Sequence, residues 1–139
     1  MMKMSYNPFV LMFVAMMVFH LFVMPPIMIQ SMEHFYLSLN QVYMGLIMSL
    51  YMVLIEAFMH PLSPTYIMII LVVIILLVVA MKRQWGIDAN QYLRDMIPHH
   101  SMALQTSQWK LDNKKVGGLA TEIYQTQIKE IQEMKELLV

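Results

Sequence analysis

The chain has 139 residues, of which 59% are hydrophobic and 13% charged, with a formal net charge of zero. The eighteen charges are segregated: residues 1–81 hold Lys3, Glu33 and Glu56, and the other fifteen follow. Soluble domains spread charge over their whole surface, disordered chains are poor in apolar residues and nucleic-acid binders are basic, so all three classes are excluded, and with the last a nucleic-acid partner.

What remains is a membrane part, residues 1–81, followed by a water-facing part, residues 82–139. A helix needs about 20 apolar residues to cross a bilayer, because backbone groups in lipid are satisfied only within the segment. Three windows qualify. The first runs from about Pro8 to Met24 or a little beyond, with Pro25-Pro26 punctuating its end; the second from about Phe35 to Met59, closed by Pro61 and Pro64; the third from near Thr65 to Met81. No small-residue cleavage pattern follows the first window, so it is read as a retained helix rather than a signal peptide. The short links predict tight antiparallel reversals. Lys82, Arg83 and Arg94 favour a cytoplasmic carboxyl end and Lys3 a cytoplasmic amino end; with three spans both cannot hold, so the positive-inside rule alone does not orient the chain.

Beyond Lys82, Gly86 breaks the pattern and Asp88 with Gln91 has the spacing of a capping box. Leu93, Met96, Ile97, His100, Ala103, Leu104 and Ser107 recur at helical spacing to about Leu111. Residues 112–118 read as a turn. A last helix carries Leu119, Ile123, Gln127, Ile131, Met134 and Leu138 on one stripe; Glu122–Lys129 and Glu133–Lys135 lack the supportive spacing, so packing is expected to stabilise it. Two such helices bury too little to stand alone. They are expected to dock on the membrane helices or on a second copy, and two hairpins joined in a four-helix bundle make a homo-oligomer, dimer or higher.

Composition supplies a second clue: eighteen methionines and no cysteine. Absence of cysteine suits an oxidising compartment. In the hairpin, Met96 lies one turn before His99 and His100, and Met102 one turn after His99. Thioether sulfur with imidazole nitrogen suits Cu(I) and its heavier analogue Ag(I), with zinc ranked below. The two imidazoles point about 100° apart and need not share one ion. Pro98 removes an amide hydrogen and crowds the carbonyl of Arg94, which predicts a kink.

"YLRDMIPHHSMALQTSQ" (Tyr92 to Gln108) followed by "LATEIYQTQIKEIQEMKELL" (Leu119 to Leu138) resembles the domain-of-unknown-function 305 family. The shared hallmarks are Met96 before His99 and His100, then Gln127, Glu130, Ile131 and Met134. "VYMGLIMSLYMVLIEAFMH" (Val42 to His60) is similar to the membrane portion preceding this domain in some members. The resemblance implies a ferritin-like half-bundle completed by oligomerisation, and a copper-binding or copper-resistance role in a bacterial plasma membrane. It implies Met96, His99, His100, Met102 and Met134 as metal ligands, with Glu130 and Gln127 supporting them. Gln127 and Glu130 also read, more simply, as hydrogen-bond partners that fix the histidine tautomer.

Fifteen methionines precede the hairpin. Met44, Met48, Met52 and Met59 fall within an arc of about 80° on the second span, bordered by Glu56 and ended by His60. His20 has Met16 and Met24 one turn to either side. These residues form a candidate membrane path for soft metal, although methionine also serves as a flexible apolar filler. Ionisable residues at membrane depth, Glu56 and His20, are functional by default. Gly45 and Ser49 form a small-residue pair suited to helix contact. The leading expectation is an all-α, membrane-anchored protein that binds, sequesters or relays copper. The alternatives are a transporter or channel subunit and a structural oligomer. An enzyme is not expected, because no nucleophile arrangement, phosphate loop or Glu-x-x-His pair is present.

Overall fold

A computed structural model describes residues 7–138; Lys3, used above for orientation, lies outside them. Every regular element among the described residues is helical: α1 (Pro8–Val18), a π turn (Phe19–Val23), α2 (Met24–Met28), α3 (Leu39–Glu56), α4 (Pro64–Lys82), α5 (Ala89–Ser107) and α6 (Gly117–Leu137), with short 3-10 turns at Met32–His34 and Gln108–Lys110. Three helices are long and apolar enough to cross a membrane: Pro8–Met28, Leu39–Glu56 and Pro64–Lys82.

The described residues form two compact units, 7–22 with 40–86, and 23–39 with 87–138. In the first, the Asn7 side chain caps α1 by accepting from the Phe9 amide at 3.1 Å. The apolar run does not stop at Pro25-Pro26 as expected. The π turn lets both prolines occupy the first turn of α2, where a missing N–H costs no hydrogen bond. Buried Gly45 marks a close approach between helices: a Cβ there would stand 3.2 Å from the His20 ring and 3.3 Å from Met17 sulfur. Ser49, one turn on, is also buried. The second span starts at Leu39, four residues later than expected, because the preceding residues are engaged elsewhere. Past α4, Gln84 and Gly86 take φ of 53° and 72°, and this left-handed pair turns the chain out of the helix.

The second unit is a hairpin with a third component that periodicity does not reveal. Leu93, Ile97 and Leu104 of α5 and Ile131 and Met134 of α6 form its core, with Tyr36, Met96, Tyr124 and Leu138 packed against it. The link at residues 29–38 is no tight reversal. It runs along α5, with the Ser38 hydroxyl donating to Asp95 at 2.6 Å and the Leu39 amide to the Gln91 side chain at 2.8 Å. Gln91 therefore leaves the capping box half made. Asp88 still accepts from the Gln91 amide at 2.8 Å. The link explains why α5 buries Pro98 and Ser101 as well as its predicted stripe: the helix is covered on two sides. It also meets, within one chain, part of the packing need that pointed to a second copy. The helix continues through Pro98 without a break. On α6, Leu119 is 60% exposed and Ala120 is buried in its place, and the exposed Lys129–Glu133 pair at 3.6 Å supplies an i,i+4 contact that the sequence reading overlooked.

Candidate metal centre

Helical spacing decides which side chains of α5 share a face. Met96 and His100 are four residues apart and lie within about 40° of each other around the axis. On α6, Gln127, Glu130, Met134 and Leu137 follow the same i, i+3, i+4 rule. The antiparallel pairing sets these two faces together. Met96, His100, Glu130 and Met134 line one open groove of about 290 Å³, alongside Tyr92, Leu93, Glu133 and Leu137.

Hydrogen bonds in the groove define the state of His100. Its Nδ1 lies 2.8 Å from the carbonyl oxygen of Met96, one turn back. A carbonyl only accepts, so Nδ1 carries the hydrogen and donates it. Nε2 then points at Glu130 Oε2, 2.9 Å away. Glu130 is itself steered, since Gln127 donates its side-chain N–H to the same oxygen at 3.1 Å. The His100 side chain is 13% exposed and Glu130 42%, so one edge of the pair is dry and the other open. The result is an imidazole of set orientation, with Nδ1–H given to the Met96 carbonyl and Nε2 sharing a hydrogen with the Glu130 carboxylate, and two thioethers in the same walls.

The other expected ligands stand apart. His99 is exposed, its ring centroid 6.4 Å from that of His100 at 64°. Met102 is half-buried and does not line the groove, lying about 120° around α5 from Met96. In the first unit, Glu56 and His60 pair at 2.8 Å, and the Phe9 ring meets His60 edge-on with centroids 6.5 Å apart. Met44, Met48 and Met59 are 41%, 42% and 77% exposed on that unit, and Met52 is half-buried. His20 lies in the π turn against Gly45, with Met16 and Met24 half-buried to either side. Among the described residues, no three His, Cys, Asp or Glu side chains gather closely enough to hold an ion.

Sequence reasoning passed over two sets of residues. Tyr92 and Glu133 sit one turn from Met96 and Glu130, and extending the same i±3, i±4 rule would have found them. The second set had no local signal. On the link side of α5, buried Ser101 accepts from the Gln30 amide at 2.9 Å, and its hydroxyl is hydrogen-bonded to His34 Nδ1 at 2.8 Å. The Gln30 side chain donates to Gln108 at 3.1 Å and to Tyr124 at 3.4 Å. Burial, and next the Lys135 ammonium, hold the His34 imidazole below its ordinary value, against the opposing pull of Glu33.

Known proteins resemble the part of the chain that carries the groove. The family model described as "Domain of unknown function (DUF305)" matches residues 82–138. A protein of Acanthamoeba polyphaga mimivirus, described as "Uncharacterized protein L153", is 37% identical over 110 residues, 73% of this chain and 72% of the viral protein. No solved structure matches the chain. The groove residues of α5 and α6 lie in the matched stretch, and the viral relative is similar over most of both lengths: the chain belongs to the DUF305 family.

Proposed function

We propose that this is a membrane-anchored metal-binding protein that takes Cu(I), with Ag(I) as a heavier analogue, in the groove between α5 and α6. The observation that carries this reading is the donor set. Met96 and Met134 supply thioethers and His100 supplies Nε2, its other nitrogen already tied to the Met96 carbonyl. A histidine held in this way is the usual form of an imidazole ligand. Two sulfurs and one nitrogen suit a soft monovalent ion. Zinc takes four Cys, His or carboxylate donors in its structural sites, and the groove offers only His100, Glu130 and Glu133 of those types.

In this reading Glu130 accepts the hydrogen bond in the metal-free state and offers a counter-charge when an ion occupies Nε2. Gln127 keeps that carboxylate in place. Exposed His99 receives incoming metal, and Met102 stays outside the groove. The three apolar helices hold the site at a bilayer, where it sequesters or relays metal rather than catalysing a reaction. The test is anaerobic Cu(I) titration of the whole protein in lipid nanodiscs against a chromogenic chelator, with Zn²⁺ in parallel. Wild type should bind Cu(I) in preference to Zn²⁺, and His100→Ala should weaken it by at least tenfold, about 1.4 kcal/mol. Zinc binding without Cu(I) binding, or an unaltered Cu(I) affinity in the variant, would overturn the proposal.

A further inference from the structure

The tip of the hairpin presents a surface of different character from the groove. Trp109 is 77% exposed and Leu119 60%, with Leu111 and Val116 also exposed. Between them stand exposed Lys110, Lys114 and Lys115 and a single acid, Asp112. Behind these side chains Lys110, Val116, Leu119 and Ile123 help to line an open groove of about 240 Å³. A tryptophan and three aliphatic side chains, all exposed between residues 109 and 119 at one end of the hairpin, mark a contact surface rather than a solvated turn.

Connectivity within the same unit says what that surface meets. Helix α2, the last part of the membrane-length helix Pro8–Met28, packs on α5. Two residues beyond Met28, the Gln30 side chain donates to Gln108, the immediate neighbour of Trp109. The aromatic tip is therefore tied to the chain close to the point where the apolar helix ends. Ile27 and Met32, on either side of that end, are themselves 66% and 63% exposed.

We propose that the hairpin tip docks on the bilayer, seating Trp109, Leu111, Val116 and Leu119 at headgroup depth. Lys110, Lys114 and Lys115 then lie against anionic lipid headgroups. Indole rings settle at the membrane–water interface. Lysine stems cover apolar surface while their ammonium groups reach the headgroups. Each lysine near an anionic surface strengthens association about fivefold. Three lysines against one aspartate give this turn the charge that such a surface attracts.

The protein has two tryptophans, so Trp85→Phe leaves Trp109 as the sole indole reporter. This full-length variant is reconstituted into nanodiscs of phosphatidylcholine alone or mixed with phosphatidylglycerol. Its fluorescence is quenched either by lipids brominated high on the acyl chain or by aqueous acrylamide. Docking predicts strong bromine quenching and acrylamide protection in the anionic bilayer, both weakened in the neutral one. Lys110→Gln, Lys114→Gln and Lys115→Gln together should reduce bromine quenching in the anionic bilayer to the neutral-bilayer level. Acrylamide quenching without bromine quenching overturns the proposal. So does equal bromine quenching in the two bilayers. Shielding from both quenchers reports burial against a second copy and overturns it as well.

Discussion

Replacing both groove methionines by leucine separates the chemistry of the site from its packing. Met134 is 9% exposed within the hairpin core and Met96 packs against that core, so alanine at either position would open a cavity. Truncations of that kind cost about 2–5 kcal/mol and can unfold a small unit. Leucine nearly conserves the volume, and such swaps usually cost less than about 1.5 kcal/mol. The Met96→Leu/Met134→Leu protein should therefore keep its hairpin while losing both sulfurs. His100 and Glu130 would remain, 2.9 Å apart, as a nitrogen and oxygen pair with no preference for a soft ion. Losing even an outer partner of a metal site costs about 10–100-fold in affinity. Loss of two direct ligands should cost at least about a hundredfold, or ~2.7 kcal/mol. Anaerobic chelator competition reads the Cu(I) affinity, and hydrogen exchange across α5 and α6 shows whether the hairpin persists. If exchange is unchanged and Cu(I) binds as tightly as in wild type, the thioethers are not ligands and the donor-set argument fails.

Two further outcomes follow from the same unit. A Cβ on Gly117 would lie 2.4 Å from the Leu111 carbonyl oxygen, whereas one on Gly118 meets nothing within 4 Å. Gly117→Ala should destabilise the hairpin by about 1–3 kcal/mol, as overpacking does, and Gly118→Ala should leave it unchanged or firmer; faster exchange in α6 for the first variant alone checks this. His34 has a lowered pKa in the folded chain, so the unfolded chain binds its proton first as pH falls through about 6.5. Stability of the second unit should be complete above that pH, decline below it, and level off once the folded imidazole is also protonated. His34→Gln should remove this part of the slope in denaturant titrations, and an identical slope in the variant would show that another group causes it.

The three membrane-length helices and the hairpin were legible in the sequence because apolar length and period are local properties. A run of apolar residues in the third span, or a stripe from Leu93 to Ser107, needs no knowledge of distant residues. The pairing of Met96 with His100 was equally visible, as helix geometry alone puts them on one face. Legibility ended where two segments far apart in the chain had to be matched. Nothing local to Gln30, His34 or Ser38 says that this link lies along α5, since its partners Ser101 and Asp95 are 57 to 71 residues away. The same limit applied to the site: His99 and His100 are adjacent in sequence, but the side that α6 covers determines which imidazole enters the groove. Residue type and spacing thus determined the helical elements and which donor atoms they carry. Tertiary packing decided that Met96, His100, Glu130 and Met134 face one another, because only the register of two helices brings α5 and α6 side chains into one wall.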